Sequence, residues 1–440
     1  MENAQLKNSS KFAWILVVAL GLMSAGTTGS YSVVVGCFMV PVCDGLGFDY
    51  TQFSYYFTGT LLGVAAGMPF AGKFLPKLVG KPGLPAIASV LLIAGAAMAF
   101  YTEVWQFWVS SIVIGVCMGF TTGVCMSTVI DQWFMKKAGL AIGLAWTINS
   151  VYMLIMSPAI TAVIEAIGWR TSYLVLAGIS AILVLPSVIF IIRFCPADKG
   201  MLPYGYGEGS IANEQVQSVA KAAGVSFKTA LHSPAFWLCV AFLSLVQFSV
   251  CMNQLFPTFA AEVGFNPMIG GLMVSAASFA DIFLNIFVGS SCDKFGSKRA
   301  LLFWIALCIV SFFLLIIGST NSSIAIAGAA LNDVMYVVAG AGLTCLVMEL
   351  FGSKDFGQIF AWICTIAYIF GAFGMPFMTA VYGASGSFTV VFGVCIGIDV
   401  VIGSLLLLAI RFAKNLKWKT RTVLLRKIPL LRHRIFVALH

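Results

Sequence analysis

Twelve times along the chain an apolar stretch of about 20 residues or more is followed by a polar connection, and that length lets a helix cross the hydrocarbon core of a bilayer. The stretches lie near residues 12–38, 51–71, 83–101, 105–130, 138–164, 171–194, 234–259, 268–289, 300–318, 322–349, 356–382 and 387–411. Composition agrees: 60% of the 440 residues are hydrophobic and 9% charged, against about 25% charged in soluble domains. None of the stretches alternates polar and apolar residues as a barrel strand does, so each is expected to be a helix, the other structure that satisfies its backbone in lipid. The class is therefore an all-α polytopic membrane protein. The first stretch is about twice the length of a signal-peptide core, which runs about 7–15 residues, and it reads as a span.

Charge sets the expected orientation. With the N-terminus cytoplasmic, the inner connections receive Lys73, Lys77, Lys81, Lys136, Lys137, Lys294, Lys298, Arg299 and Lys354, and of the 25 Lys and Arg only Arg170 falls outside. Positive residues concentrate on the cytoplasmic side of membrane proteins, so both ends are expected there, in a plasma (inner) membrane. The longest polar interval, residues 196–232, divides the spans six and six. The expected organisation is a bundle over 1–195, a central loop over 196–232, a second bundle over 233–412 and a basic tail over 413–440. From Arg411 onward nine Lys or Arg occur with no Asp or Glu, interleaved with Trp418, Leu424, Leu425, Leu430 and Phe436. Such a tail either anchors the end by charge or lies on anionic lipid. Nucleic acid is not an expected partner of a tail held at a membrane.

Other chemistry is limited. The twelve cysteines contain no Cys-x-x-Cys pair, and the three histidines, His232, His433 and His440, lie outside every span. No Gly-x-x-x-x-Gly-Lys-[Ser/Thr] loop is present, and no nucleophile–base set for an enzyme can be assembled. Cofactors and metals are accordingly not expected. Gly115, Gly119 and Gly123 form a small-residue stripe suited to helix packing, and Glu165 and Arg170 are expected to pair at the outer end of the fifth stretch.

What stands out is acid inside apolar sequence. Asp281 lies in the eighth stretch with Asn285 one helical turn later, and Ser278, Asp281, Asn285 and Gly289 share one helix face. A carboxylate in hydrocarbon costs several kcal/mol unless something offsets it, which makes it a functional candidate by default. No Lys or Arg occurs in the membrane core, so the offset must come from donors: Asn285, Gln247, Gln254, Thr28, Tyr31, Asn149 and Tyr152. Ser244, Gln247, Cys251 and Gln254 form a polar stripe at helical spacing, and Trp362, Thr365 and Tyr368 mark the eleventh stretch. Desolvation favours the neutral form of a carboxyl, so Asp281 is a candidate for proton coupling. Pairing with a cationic solute and a purely structural hydrogen bond are its alternatives. Asp333, beside Asn332 and Tyr336, is a second coupling candidate, whereas Asp399 in the last stretch reads as structural.

Two connections repeat a pattern. Gly289-x-x-x-Asp293-Lys294-x-Gly296-x-Lys298-Arg299 follows the eighth stretch, and Gly72-x-x-x-Pro76-Lys77-x-x-Gly80-Lys81 follows the second. This resembles the loop signature of the major facilitator superfamily. Asp131-Gln-Trp133-Phe134-Met-Lys136-Lys137-Ala-Gly139-Leu-Ala141, Ser157-Pro158, Gly168-Trp169-Arg170, Cys195-Pro196-Ala-Asp198-Lys-Gly200-Met-Leu-Pro203-Tyr-Gly205 and Ser233-Pro234-Ala-Phe236-Trp237 are similar to motifs of its oxalate/formate-antiporter-like and monocarboxylate-transporter-like groups. The resemblance implies twelve helices in two six-helix bundles, with a solute site between the halves near the midplane. It also implies gating by Asp293, Lys294, Lys298, Arg299 and Lys77. In the monocarboxylate-type pattern an arginine stands four residues after the acid of span eight; here Asn285 does. Span eleven lacks the oxalate-type lysine, and Val35 stands near a first-span lysine of monocarboxylate carriers.

The expected function is secondary active transport of a small organic solute by alternating access, driven by a proton or a counter-solute, in a monomeric carrier. Solute contacts are expected at Asn285, Gln247, Gln254, Tyr31, Asn149, Tyr152, Trp362 and Tyr368. The resemblance points to an organic acid and the absent cations point away from one. An exporter of cationic or amphipathic compounds and a sensor that binds solute without moving it are the alternatives.

Overall fold

The computed structural model describes residues 2–135, 137–205, 224–352 and 354–413, without the side chains of 2–10, 72, 73, 289 and 293. Lys136, most of the central loop and the basic tail beyond 413 lie outside the described residues.

Twelve membrane-length helices are present among them. In chain order they are α1 Lys11–Leu46, α2 Tyr50–Leu78, α3 Gly83–Phe100 and α4 Val104–Trp133. The run Ala138–Ile191 turns at Gly168 to give α5 and α6. Then follow α7 Pro234–Glu262, α8 Pro267–Cys292, α9 Lys294–Gly318, α10 Ser322–Phe351, α11 Phe356–Ser385 and α12 Phe388–Ala413. α1 runs beyond the expected 38, because Met39–Leu46 continues the helix until Gly47 turns left-handed at φ 73°. The expected loop of the second signature is helical almost throughout: the run Pro267–Gly318 breaks only at Gly296, where φ 77° and ψ 151° suit a residue without Cβ. Starts are chemically marked. Ser233 accepts from the Phe236 N–H ahead of Pro234, Asn266 from Met268, and Asn321 from Ser323 and Ile324.

Four helices are irregular at equivalent places in the two halves. α1 widens to π-helical turns over Ala25–Val33 and tightens over Val34–Phe38. α4 breaks at Thr122 (φ −114°, ψ −137°), α7 loosens at Cys251, and α10 loosens at Asp333 and widens over Val338–Gly342. Interruptions of this kind frequently mark functional segments.

Close packing uses small residues, as membrane helices do. A Cβ on Gly115 of α4 would collide with the Thr60 carbonyl oxygen of α2, so the expected packing role of that stripe holds at Gly115. Large apolar side chains on α3, α6, α9 and α12, such as Ile93, Ile182, Phe303 and Val400, are exposed. In a soluble protein such a belt would drive association; here it is the lipid surface.

The halves meet along three helix pairs. Gly36 of α1 abuts the Gln254 backbone of α7. Between α2 and α11, Thr58 Oγ1 donates to the Ala372 carbonyl (2.7 Å) and Thr379 Oγ1 to Ser54 Oγ (3.2 Å). Between α5 and α8, Ser275 Oγ donates to the Leu154 carbonyl (2.7 Å) and Ser150 Oγ to Asp281 Oδ2 (2.6 Å). These contacts close the end that carries the α1–α2, α7–α8 and α11–α12 turns. One helical turn beyond the last of them, Asn285 is exposed.

The turn motifs have structural partners. Trp133 and Met135 exchange backbone hydrogen bonds with Tyr204, and Trp133 Nε1 donates to the Arg193 carbonyl (3.0 Å). In the second half, Val225 N–H donates to the Phe351 carbonyl (2.8 Å) and Phe227 N–H to Asp355 Oδ2 (2.8 Å). Each end of the central loop is thus pinned to its own half, at the turn after α4 and after α10.

Candidate solute and coupling site

Asp281 is buried at the middle of α8, where its carboxylate joins the two halves. Its Oδ2 accepts from Ser150 of α5, and its Oδ1 accepts from Asn285 Nδ2 at 2.7 Å. The same amide nitrogen also donates to the Asp281 carbonyl at 3.0 Å. Two donors thus replace the cation that the chain does not supply.

Asp333 is buried where α10 loosens, and Asn253 Nδ2 of α7 donates to its Oδ1 at 2.8 Å. It lies within electrostatic range of Asp281, and Tyr336 lies within range of both acids. Tyr368 of α11 is in turn within range of Tyr336. The two coupling candidates and the aromatic residues beside them therefore belong to one cluster built from α5, α7, α8, α10 and α11.

The other named residues divide. Tyr152 is half-buried, hydrogen bonds Ser30 Oγ (2.6 Å) and packs by Gly29, next to the buried Asn149. Gln247 is half-buried against Gly371 of α11. Gln254 sits in the closed α1–α7 contact, its Oε1 buried with no hydrogen-bond partner among the described residues. Tyr31 is turned into the first half, its ring against Gly95 of α3. Trp362 is exposed and stacks on Phe227 at 6.2 Å. Ser244 and Cys251 hydrogen bond carbonyls of their own helix, so half of the polar stripe on α7 is locally satisfied.

Lys77, Lys294, Lys298 and Arg299 are exposed, and the Asp293 side chain is outside the described set. The turn at Gly296 is held from α10: the Ser297 N–H donates to Glu349 Oε2 at 2.9 Å. Arg170, expected to pair with Glu165, instead donates to the Ala99 and Tyr101 carbonyls, satisfying the end of α3, and lies over the Trp169 ring. Asp399 faces inward from α12 and accepts from Ser249 Oγ (2.6 Å), so it does not meet lipid. Among the described residues, no three of His, Cys, Asp and Glu are grouped as a metal site requires.

Ser150, Asn253 and Glu349 were not singled out from sequence. Ser150 is one of many serines on membrane helices, and Asn253 lies one position off the stripe that Gln247 and Gln254 define. Only helix packing shows that Ser150 and Asn253 each face an acid, and that Glu349 reaches the turn at Gly296.

Comparison with known proteins places this geometry. A family model described as Major Facilitator Superfamily matches residues 12–270 and 251–438. Monocarboxylate transporter 2 of Homo sapiens is 23% identical over 202 residues, 44% of this chain and 38% of that protein. An MFS-type transporter of Bacillus subtilis, YcxA, is 23% identical over 195 residues, 43% of this chain and 47% of that protein. The matched parts span less than half of either relative. Among solved structures, the nucleoside transporter NupG aligns with TM-score 0.69 at 14% identity, over 90% of this chain and 99% of that one. A D-xylose–proton symporter aligns with TM-score 0.68 at 12% identity, over 90% and 97%. A bacterial homolog of the human lysosomal transporter Spinster, in an inward-facing and occupied conformation, aligns with TM-score 0.70 at 11% identity, over 92% and 98%. With a family model spanning nearly the whole sequence and twelve helices in two bundles, the chain belongs to the major facilitator superfamily.

Proposed function

We propose that this protein is a secondary transporter that moves a small organic solute by alternating access, with Asp281 as the coupling acid and Asp333 as its partner. The observation that carries the reading is the Ser150–Asp281 hydrogen bond. It ties a buried carboxylate to the contact between the two half-bundles, with the exposed Asn285 one helical turn further along α8. A group there senses both the proton and the relative position of the halves, which is what coupling requires.

Positive-inside charge makes the open end cytoplasmic, so the conformation is inward-facing, in a plasma (inner) membrane with both termini inside. A solved structure of similar fold is inward-facing as well. Solute entering from that side meets Asn285 first, then the acids with Tyr336 and Tyr368. The loop-signature residues Lys294, Lys298 and Arg299, exposed here, are positioned to engage when the cytoplasmic end closes. Glu349 already holds the turn that carries them.

The test is flux in proteoliposomes under an imposed pH gradient, for wild type and Asp281→Asn. The expected result is solute-dependent proton movement in wild type and a loss of about tenfold or more in the variant, equivalent to about 1.4 kcal/mol. Unchanged coupled flux in Asp281→Asn would remove the coupling role and move it to Asp333.

A further inference from the structure

Given a carrier, the chemical class of its solute follows from which hydrogen-bonding groups at the centre are already used. Asn285 spends its amide nitrogen on the Asp281 carbonyl and carboxylate, which fixes its orientation and keeps Oδ1 out of both bonds. Asn253 spends its nitrogen on Asp333, and its Oδ1 is buried with no hydrogen-bond partner among the described residues. Asn149 Oδ1, against Gly29 of α1, and Gln254 Oε1, on α7 where it meets α1, are likewise buried without a partner among those residues, but on faces other than those of Ser150 and Asn253.

The two amides that serve the acids, Asn285 and Asn253, therefore keep their oxygens for another donor, next to two carboxyls. Oxygens of this kind only accept hydrogen bonds. The phenols of Tyr336 and Tyr368 donate or accept, and so discriminate in neither direction. No Lys or Arg occurs anywhere from residue 229 to 293, 300 to 353, 138 to 169 or 12 to 72, which covers α1, α5, α7, α8 and α10 through the site. A carboxylate placed here would face acceptors and acids with no cation, and a desolvated anion so placed has nothing to offset its lost hydration.

The geometry points to a solute that brings several hydrogen-bond donors and no net negative charge, a polyhydroxyl compound or a protonated amine, rather than a carboxylate. The Asn285 and Asn253 oxygens then receive an O–H or N–H, and an ammonium group gains the two acids as well. This separates the chain from the monocarboxylate pattern at the residue where its sequence departs from it, Asn285 in place of arginine. The assignment rests on the carrier reading above.

The test uses the purified full-length protein and two matched series. In one, sorbitol, glucamine and gluconate share a six-carbon skeleton that ends in hydroxyl, ammonium or carboxylate. In the other, propane-1,2-diol, 1-amino-2-propanol and lactate do the same on three carbons. Binding is read by thermal shift and intrinsic tryptophan fluorescence. The expected result is binding by the hydroxyl or ammonium member, with the carboxylate member of the same series weaker by about tenfold or more. The ranking of hydroxyl against ammonium shows which donor source the site prefers. Asn285→Arg is expected to reverse the order toward the carboxylate.

Equal or tighter binding of gluconate or lactate in wild type overturns the inference, as does failure of every donor-bearing probe to bind. Flux of the best-bound probe in proteoliposomes keeps the two readings apart. Binding without flux would sink the carrier and leave the site chemistry standing, whereas carboxylate flux would sink the site chemistry and leave the carrier standing.

Discussion

Ser150 and Ser249 do the same chemical task for acids with different positions. Each hydroxyl donates at 2.6 Å to a buried carboxylate, but Ser150 does so between the half-bundles and Ser249 within one of them. Removing a donor from a buried acceptor costs about 1–3 kcal/mol. Ser249→Ala is therefore expected to lower the melting temperature and leave solute binding unchanged, because Asp399 lies behind the site. Ser150→Ala is expected to lower both melting temperature and coupled flux, because its partner is the coupling acid. Thermal unfolding and proteoliposome flux on the same two variants check the distinction. If Ser249→Ala impaired flux as much as Ser150→Ala did, Asp399 would be part of the transport cycle.

The helices carry the mechanics. Of the helices broken near the middle, α1, α4, α7 and α10 stand in equivalent positions of the two halves, α11 also breaks at Ala372–Phe373, and the break in α10 falls on Asp333 itself. The seam between α5 and α8 depends on Gly271, where an added Cβ would lie 2.9 Å from Thr161 Oγ1 and 3.1 Å from the Pro158 Cα. Gly271→Val is expected to part this seam and favour the opposite conformation. Faster thiol labelling of a Ser275→Cys reporter, from the side now closed, measures it; unchanged labelling would show that the contact does not hold the seam. At Gly296 the constraint is conformational instead. The backbone has a positive φ with an extended ψ there, and open space surrounds the position a methyl would take, so Gly296→Ala is expected to cost about 1–3 kcal/mol through backbone conformation alone. Thermal unfolding reads that cost directly.

At the scale of the whole molecule, the closed end is a set of contacts between halves that must separate in each cycle. Ser54 and Thr379 bring their hydroxyl oxygens within 3.2 Å across that seam. A Ser54→Cys/Thr379→Cys pair, oxidised, is expected to stop flux and to release it on reduction. Oxidation that leaves flux intact would mean that the halves do not part there. Span count, helical class and the spacing of Asp281 from Asn285 were legible in sequence, because hydrophobic length and helical period are local properties of the chain. So was the absence of any cation from the core, which composition along each span states outright. What those local properties leave open is which side chains face each other. Asn149 and Ser150 are neighbouring polar residues in an apolar stretch, yet the first turns toward Gly29 of its own half and the second crosses to Asp281. Ser150, Asn253 and Glu349 acquire their roles from residues 131, 80 and 52 positions away in sequence, on other helices or turns. Only packing sets the direction of each amide, because that direction depends on the neighbour that its nitrogen finds. Hydrophobic length and period were enough to read a membrane protein of twelve helices with an acid to offset; helix packing chose the donors that offset it, and so the groups that remain for a solute.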